Sequence, residues 1–183
     1  MTAPAQPWAR DILRVWFHTL GSEDWFAPTD AIDAMLENRF GEELERQASR
    51  APGEFLADPQ TALAAIILFD QIARNIHRDT VQVFAQDPQA RAITHGVIER
   101  GWLGDYTEDQ RQFALMPLMH SEQLRDQDLS VELFARHAPG SLEFARSHRE
   151  MIARFGRFPH RNEILGRESS EAEKEAIADG FSW

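Results

Sequence analysis

Hydrophobic residues recur every three or four positions along most of the chain, which is the spacing of an amphipathic helix. Asp-Pro pairs at 58–59 and 87–88 are typical helix starts, and Gly101 and Gly156 are typical helix stops. Period-two alternation, the mark of a half-buried strand, is never sustained. We therefore predict an all-α fold, a layered array of antiparallel helix pairs. The predicted helices span about residues 11–20, 31–50, 59–77, 88–101, 108–120, 122–137, 142–155, 159–165 and 171–178.

Length and composition indicate a single helical domain over residues 1–183. The chain is 43% hydrophobic and 27% charged, which is typical of a globular protein. The longest apolar run, Ala62 to Phe69, is far shorter than the roughly 20 residues of a membrane span, so no membrane partner is expected. The N-terminus lacks the pattern of a signal peptide, so we expect a cytoplasmic location.

Cysteine is absent, which excludes disulfides, thiolate zinc sites and a cysteine nucleophile. The formal net charge of −11 argues against nucleic-acid binding, which depends on a basic surface that neutralises phosphates. One stretch departs from this acidity. Residues 148–167, here called the basic segment, carry five arginines against two glutamates.

The basic segment has two interpretations. Its arginines could pair with acids on neighbouring helices and hold the C-terminal part of the chain in place. Alternatively, part of the segment could stay open to receive an anion, because the planar guanidinium matches carboxylates and phosphates.

Polar residues also interrupt three apolar helix stripes. Asp70 and Arg74 continue the stripe of the helix over 59–77, while His120 and His148 lie on two others. Glu122 and Asp126 follow His120 closely. Buried ionic groups need partners, so we predict a shared polar cluster between helices.

Neither a His-Glu-x-x-His zinc motif nor a Gly-x-Ser-x-Gly nucleophile elbow occurs in the sequence. A site built from His120, Glu122, His148 and Asp70 could still bind a divalent metal or transfer protons. This leaves a hydrolase as one alternative.

Several motifs together resemble the bacterial "domain of unknown function 924" family. They are Phe69-Asp70-Gln71 with Arg74-Asn75, Phe84-Ala85 with Asp87-Pro88, Pro117 to Glu122, Asp126-Gln127 with Ser130-Val131, His148-Arg149, Arg154 to Asn162, and Gly166 to Ser169. The resemblance extends over nearly the whole chain. It implies a tetratricopeptide-like helical array in a cytoplasmic bacterial protein, and it implies no known activity.

Our leading hypothesis is a binding module whose inter-helix pocket takes a small anionic molecule or a peptide carboxylate. We predict neither a cofactor nor a bound metal, and homo-oligomerisation stays open. The second alternative to binding, beside the hydrolase, is a structural interaction domain without a ligand. The predicted ligand-binding residues are Arg74, His120, His148, Arg157, His160, Arg161 and Asn162, supported by Asp70, Glu122 and Asp126.

Overall fold

The fold is all-helical, as predicted. The computed structural model describes residues 5–27 and 29–181, and these residues contain no β-strand. The helices pack in layers. None of the described helices is both long enough and apolar enough to cross a membrane.

The chain groups into two compact units, Met1–Pro117 (unit 1) and Leu118–Trp183 (unit 2). The assignment of residues 1–183 to a single domain stays a prediction, as does the tetratricopeptide-like arrangement. The boundary between the units falls within one helix, α7 (Glu108–Met119), which contains Pro117.

Unit 1 holds six helices before α7 among its described residues, and α1 and α4 each continue into a π-helical segment. The helices are α1 (Pro7–Arg14), α2 (Ser22–Phe26), α3 (Asp30–Ala48), α4 (Pro59–Ile66), α5 (Ala73–Ile76) and α6 (Asp87–Glu99). The π-helical segments are Val15–Thr19 and Ile67–Ile72, and the 3₁₀ turns are Pro52–Phe55, Val81–Phe84 and Trp102–Asp105.

Unit 2 follows α7 with α8 (Leu124–His137), α9 (Leu142–Phe155) and α10 (Glu171–Ala178). A short 3₁₀ turn, Pro139–Ser141, joins α8 to α9, so these two helices pack as an antiparallel pair. Met151 and Ile152 of α9 form a hydrophobic core with Phe158 and Ala176.

Local sequence signals account for several helix boundaries. The Asp58 carboxylate accepts from the backbone N–H of Thr61 at the start of α4, with Pro59 as the first helical residue. Ser170 and Glu173 form a capping box that starts α10. Gly156 ends α9 at φ 68°, a left-handed conformation that costs glycine little.

The predicted helix over 159–165 is only partly present. A 3₁₀ turn covers Pro159–Arg161, and the chain then continues in hydrogen-bonded turns to Gly166. The side chains of Arg161 and Asn162 are buried here and bonded to other segments. That anchoring takes the place of regular helical hydrogen bonds.

Candidate functional site

The predicted site residues fall into both units. Asp70 and Arg74 belong to unit 1, and the other eight belong to unit 2: His120, Glu122, Asp126, His148, Arg157, His160, Arg161 and Asn162. Each unit therefore has its own polar cluster, which we describe in turn.

The unit 1 cluster is an arginine between two carboxylates. Asp70 lies in the π-helical segment and is 1% exposed. Arg74 Nη2 lies 2.8 Å from Asp87 Oδ1 and 3.4 Å from Asp70 Oδ1. Its guanidinium also covers the Phe84 ring at 5.5 Å. Burial opposes its charge, but the two carboxylates outweigh this and raise the pKa of Arg74.

In unit 2, the C-terminal end of α7 carries backbone carbonyls that have no partner within the helix. Gln127, which is fully buried on α8, donates its amide Nε2 to the carbonyls of Met119 at 2.6 Å, Ser121 at 2.7 Å and Leu118 at 3.3 Å. Arg161 Nη2 donates to the carbonyl of His120 at 2.9 Å. One amide and one guanidinium thus donate to four successive backbone carbonyls and fix the backbone of His120.

Three histidine rings gather beside this helix end. The rings of His148 and His160 each lie 5.5 Å from the Phe158 ring, and His120 lies 6.1 Å from His148. Arg161 stands over the same Phe158 ring at 4.7 Å and is 6% exposed. We call His120, His148, Phe158, His160 and Arg161 the histidine cluster.

His148 has a defined tautomer. Its Nδ1 lies 2.8 Å from the carbonyl oxygen of Phe144, and because a carbonyl can only accept, Nδ1 carries the hydrogen. Burial, together with the positive charges of His120, His160 and Arg161, lowers the pKa of His148 to about 3. His148 is therefore neutral at physiological pH. His148 is buried, whereas His120 and His160 are half-buried.

Glu122 ties two segments to the histidine cluster. Arg167 donates from Nη1 and Nη2 to its two carboxylate oxygens, both at 2.9 Å, and the Phe158 N–H donates at 2.9 Å. Burial alone would raise the pKa of Glu122, but these hydrogen bonds and the charge of Arg161 lower it. The carboxylate fixes the backbone of Phe158, the residue at the centre of the cluster.

Glu173 on α10 performs a similar task for the basic segment. Arg157 donates to its carboxylate from Nε at 2.6 Å and from Nη2 at 2.9 Å. Asn162 Nδ2 lies 3.4 Å from Glu173 Oε1 and also donates to Ser169 Oγ at 3.0 Å. The hydrogen bond from Arg157, helped by the Ser170 N–H, lowers the pKa of Glu173 to about 2. Arg157 and Asn162 therefore hold α10 to the turn that carries His160 and Arg161.

Asp126 lies on the α8 side of the helix end and is 1% exposed. Its Oδ2 accepts from the Ser121 hydroxyl at 2.8 Å, and Arg125 Nε lies 3.8 Å from Oδ1. The hydrogen bond between Ser121 and Asp126 orders the turn between α7 and α8, directly after His120.

Sequence reasoning missed three residues that build this site. In the sequence, Gln127 and Phe158 stand out only as members of the family motifs. Glu173 stands out only as part of the pattern that starts a helix. The residues that the structure describes contain no group of three or more histidine or acidic side chains able to hold a metal ion.

The comparisons with known proteins agree with the fold. A family model described as "Bacterial protein of unknown function (DUF924)" matches residues 12–180. The chain belongs to the DUF924 family. A solved structure of a protein of unknown function from Agrobacterium tumefaciens is 34% identical to it, with a TM-score of 0.88, and the match covers 94% of this chain and 97% of the other. No curated protein matches the chain.

Proposed function

We propose that this DUF924 protein is a binding module for a small anionic molecule or a peptide carboxylate, and that the histidine cluster of unit 2 is its site. The observation that carries the proposal is the grouping of two histidines and a buried arginine around the Phe158 ring, with a third histidine, His120, beside His148. Two of these histidines, His120 and His160, reach the surface in part.

The charges around the cluster favour an anion. After burial, the positive charges of His120, His160 and Arg161 lower the pKa of His148 further. An anion beside these side chains would be held by charge-assisted hydrogen bonds.

The cluster residues have different roles in this proposal. His120, His160 and Arg161 face the anion, and neutral His148 supports them from within. Glu122, Asp126, Arg157 and Asn162 hold the surrounding backbone through the contacts described above. We assign no ligand to Arg74, because two carboxylates already balance its charge.

Isothermal titration with phosphate and with acetate tests the proposal. We expect both anions to bind, and saturation at 100 times Kd stabilises the protein by about 2.7 kcal/mol, or roughly 5–10 °C in Tm. The variant His160→Ala should lose most of the affinity, whereas His18→Ala, an exposed histidine of unit 1, should leave it unchanged. Absence of any anion binding to the unsubstituted protein would refute the proposal.

One observation favours the structural interaction domain instead. Arg157 and Arg167, both in the basic segment, each use two donors on one carboxylate, as ion pairs that fix a fold do. If anions leave the Tm unchanged while Glu122→Gln and Glu173→Gln both lower it, this alternative replaces the binding module.

A hydrolase activity, a cytoplasmic location and homo-oligomerisation stay predictions from the sequence. The separate formal charges, −8 for residues 1–117 and −3 for residues 118–183, support the expectation that nucleic acid is not a partner.

A further inference from the structure

Two polar atoms on the buried face of α8 have no hydrogen-bond partner among the residues that the structure describes. They are the amide oxygen Oε1 of Gln127 and the hydroxyl oxygen Oγ of Ser130, and both side chains are fully buried. Buried polar groups almost always have a partner, because their removal from water is costly without one. These two atoms therefore need a partner that the described side chains and backbone do not supply.

The two side chains are neighbours on α8. Gln127 and Ser130 lie three residues apart, so they share one face of the helix and their Cβ atoms are about 5–6 Å apart. The Gln127 amide has a fixed orientation, because its Nε2 donates to three backbone carbonyls at the end of α7. Turning the amide over would point Oε1 at those carbonyl oxygens. The donor for Gln127 Oε1 must therefore come from elsewhere.

The chemistry of the two atoms matches one small neutral molecule. The amide oxygen of Gln127 only accepts hydrogen bonds, whereas the Ser130 hydroxyl can donate as well as accept. Neither group is charged, so together they cannot balance a buried ion. A water molecule can accept from the Ser130 hydroxyl and donate to Gln127 Oε1 at the same time. Two hydrogen bonds of about 2.8 Å span roughly the separation of neighbouring side chains on one helix face.

We propose that one buried water molecule joins Gln127 Oε1 to Ser130 Oγ and forms part of the core of unit 2. Globular proteins hold on the order of one buried water per 27 residues, so unit 2 is long enough to hold one. The water extends the hydrogen bonds that begin at the end of α7, from its carbonyls through the Gln127 amide to Ser130. Hydrogen bonds in such a chain strengthen one another. The site is independent of anion binding at the histidine cluster.

Ser130 has one competing partner. A serine hydroxyl in a helix can donate to the carbonyl four residues earlier, which here is the backbone carbonyl of Asp126. The structure does not make this contact. It would also leave Gln127 Oε1 buried and unpaired, whereas a water molecule serves both atoms.

Deuterium magnetic relaxation dispersion in heavy water tests the site, because it counts the water molecules that stay in the full chain longer than the chain takes to tumble. We expect Ser130→Ala to remove one of them and to lower the Tm by about 2–4 °C, since a bonded hydroxyl is lost. The matched control is Ser147→Ala on α9. Ser147 is half-buried, so water beside it exchanges quickly with the solvent, and the count should not change.

A crystal structure should show electron density for one water within hydrogen-bond distance of both Gln127 Oε1 and Ser130 Oγ. An unchanged count of long-lived waters in Ser130→Ala would overturn the proposal. A rise in the Tm of that variant would do the same, because it would mean that the hydroxyl is unpaired. If Ser130 instead donates to the Asp126 carbonyl, Ser130→Ala lowers the Tm but loses no water, and this result also overturns the proposal.

Discussion

Arg74 of unit 1 and Arg161 of unit 2 are both largely withdrawn from water and both cover a phenyl ring, yet their surroundings differ. Arg74 lies between the carboxylates of Asp70 and Asp87. Arg161 donates to the backbone carbonyl of His120 and stands among histidines. We conclude that the first cluster is closed, because two carboxylates balance the charge of Arg74, and we propose the second cluster as the anion site.

The basic segment shows why partners matter. Its arginines pair with carboxylates, Arg149 with Asp128, Arg154 with Glu150, Arg157 with Glu173 and Arg167 with Glu122. Arg161 donates to a backbone carbonyl. An excess of arginines in the sequence therefore says little about anion binding until each partner is known.

The largest expected effect tests the closed cluster. Arg74→Met removes the arginine between the carboxylates of Asp70, which is 1% exposed, and Asp87, and we expect a loss of about 3–5 kcal/mol in the free energy of unfolding. Urea denaturation measures it. The control is Arg39→Met, which breaks a more exposed pair with Asp11 and should cost about 0–1 kcal/mol. Equal losses in the two variants would contradict a buried, closed cluster.

The next effect belongs to the histidine cluster and depends on pH. The unfolded chain protonates His148 near pH 6.5, but the folded chain does so only near pH 3, so acidification favours unfolding across this range. We expect His148 to contribute a loss of roughly 2 kcal/mol between pH 6.5 and 5, at about 1.4 kcal/mol per pH unit. His148→Gln should remove this part of the pH dependence in urea denaturation at a series of pH values. An unchanged slope in that variant would show that His148 titrates normally.

A smaller effect is expected at the carboxylate that holds α10. Glu173→Gln weakens the charged hydrogen bonds from Arg157, and we expect a loss of about 1–3 kcal/mol at neutral pH. Because the pKa of Glu173 is lowered from 4.5 to about 2, its contribution is present above pH 4.5 and is lost as the pH falls toward 2. Glu171→Gln, which alters an exposed pair with Lys174, is the control. Similar stability curves for the two variants would argue against this role.

The smallest effect is predicted for Arg149→Ala. Arg149 belongs to the basic segment but pairs with Asp128 at the surface, so its loss should cost about 0–1 kcal/mol and leave phosphate affinity unchanged. Titration calorimetry and urea denaturation check both values. A clear drop in affinity would mean that the net charge of the whole segment, rather than the histidine cluster, attracts the anion.

The helical fold was predictable from the sequence because its causes are local. Apolar residues at helical spacing, the capping pattern of Ser170 with Glu173, and Gly156 in a left-handed conformation each act within one or two turns. The family motifs, which run through most of the chain, were also visible at this level. So was the presence of polar residues on apolar stripes, among them Asp70 and His148.

The tertiary structure decided which partner each polar side chain meets. The sequence shows an arginine at 157 and another at 161, but not that the first meets Glu173 and the second meets the carbonyl of His120. Gln127, the residue that collects three carbonyls of the α7 end, has no helical pattern that marks it. The contacts of Arg157 and Arg161 join residues 16 and 41 positions apart. They depend on how helices pack, and a single sequence carries no local signal for that packing.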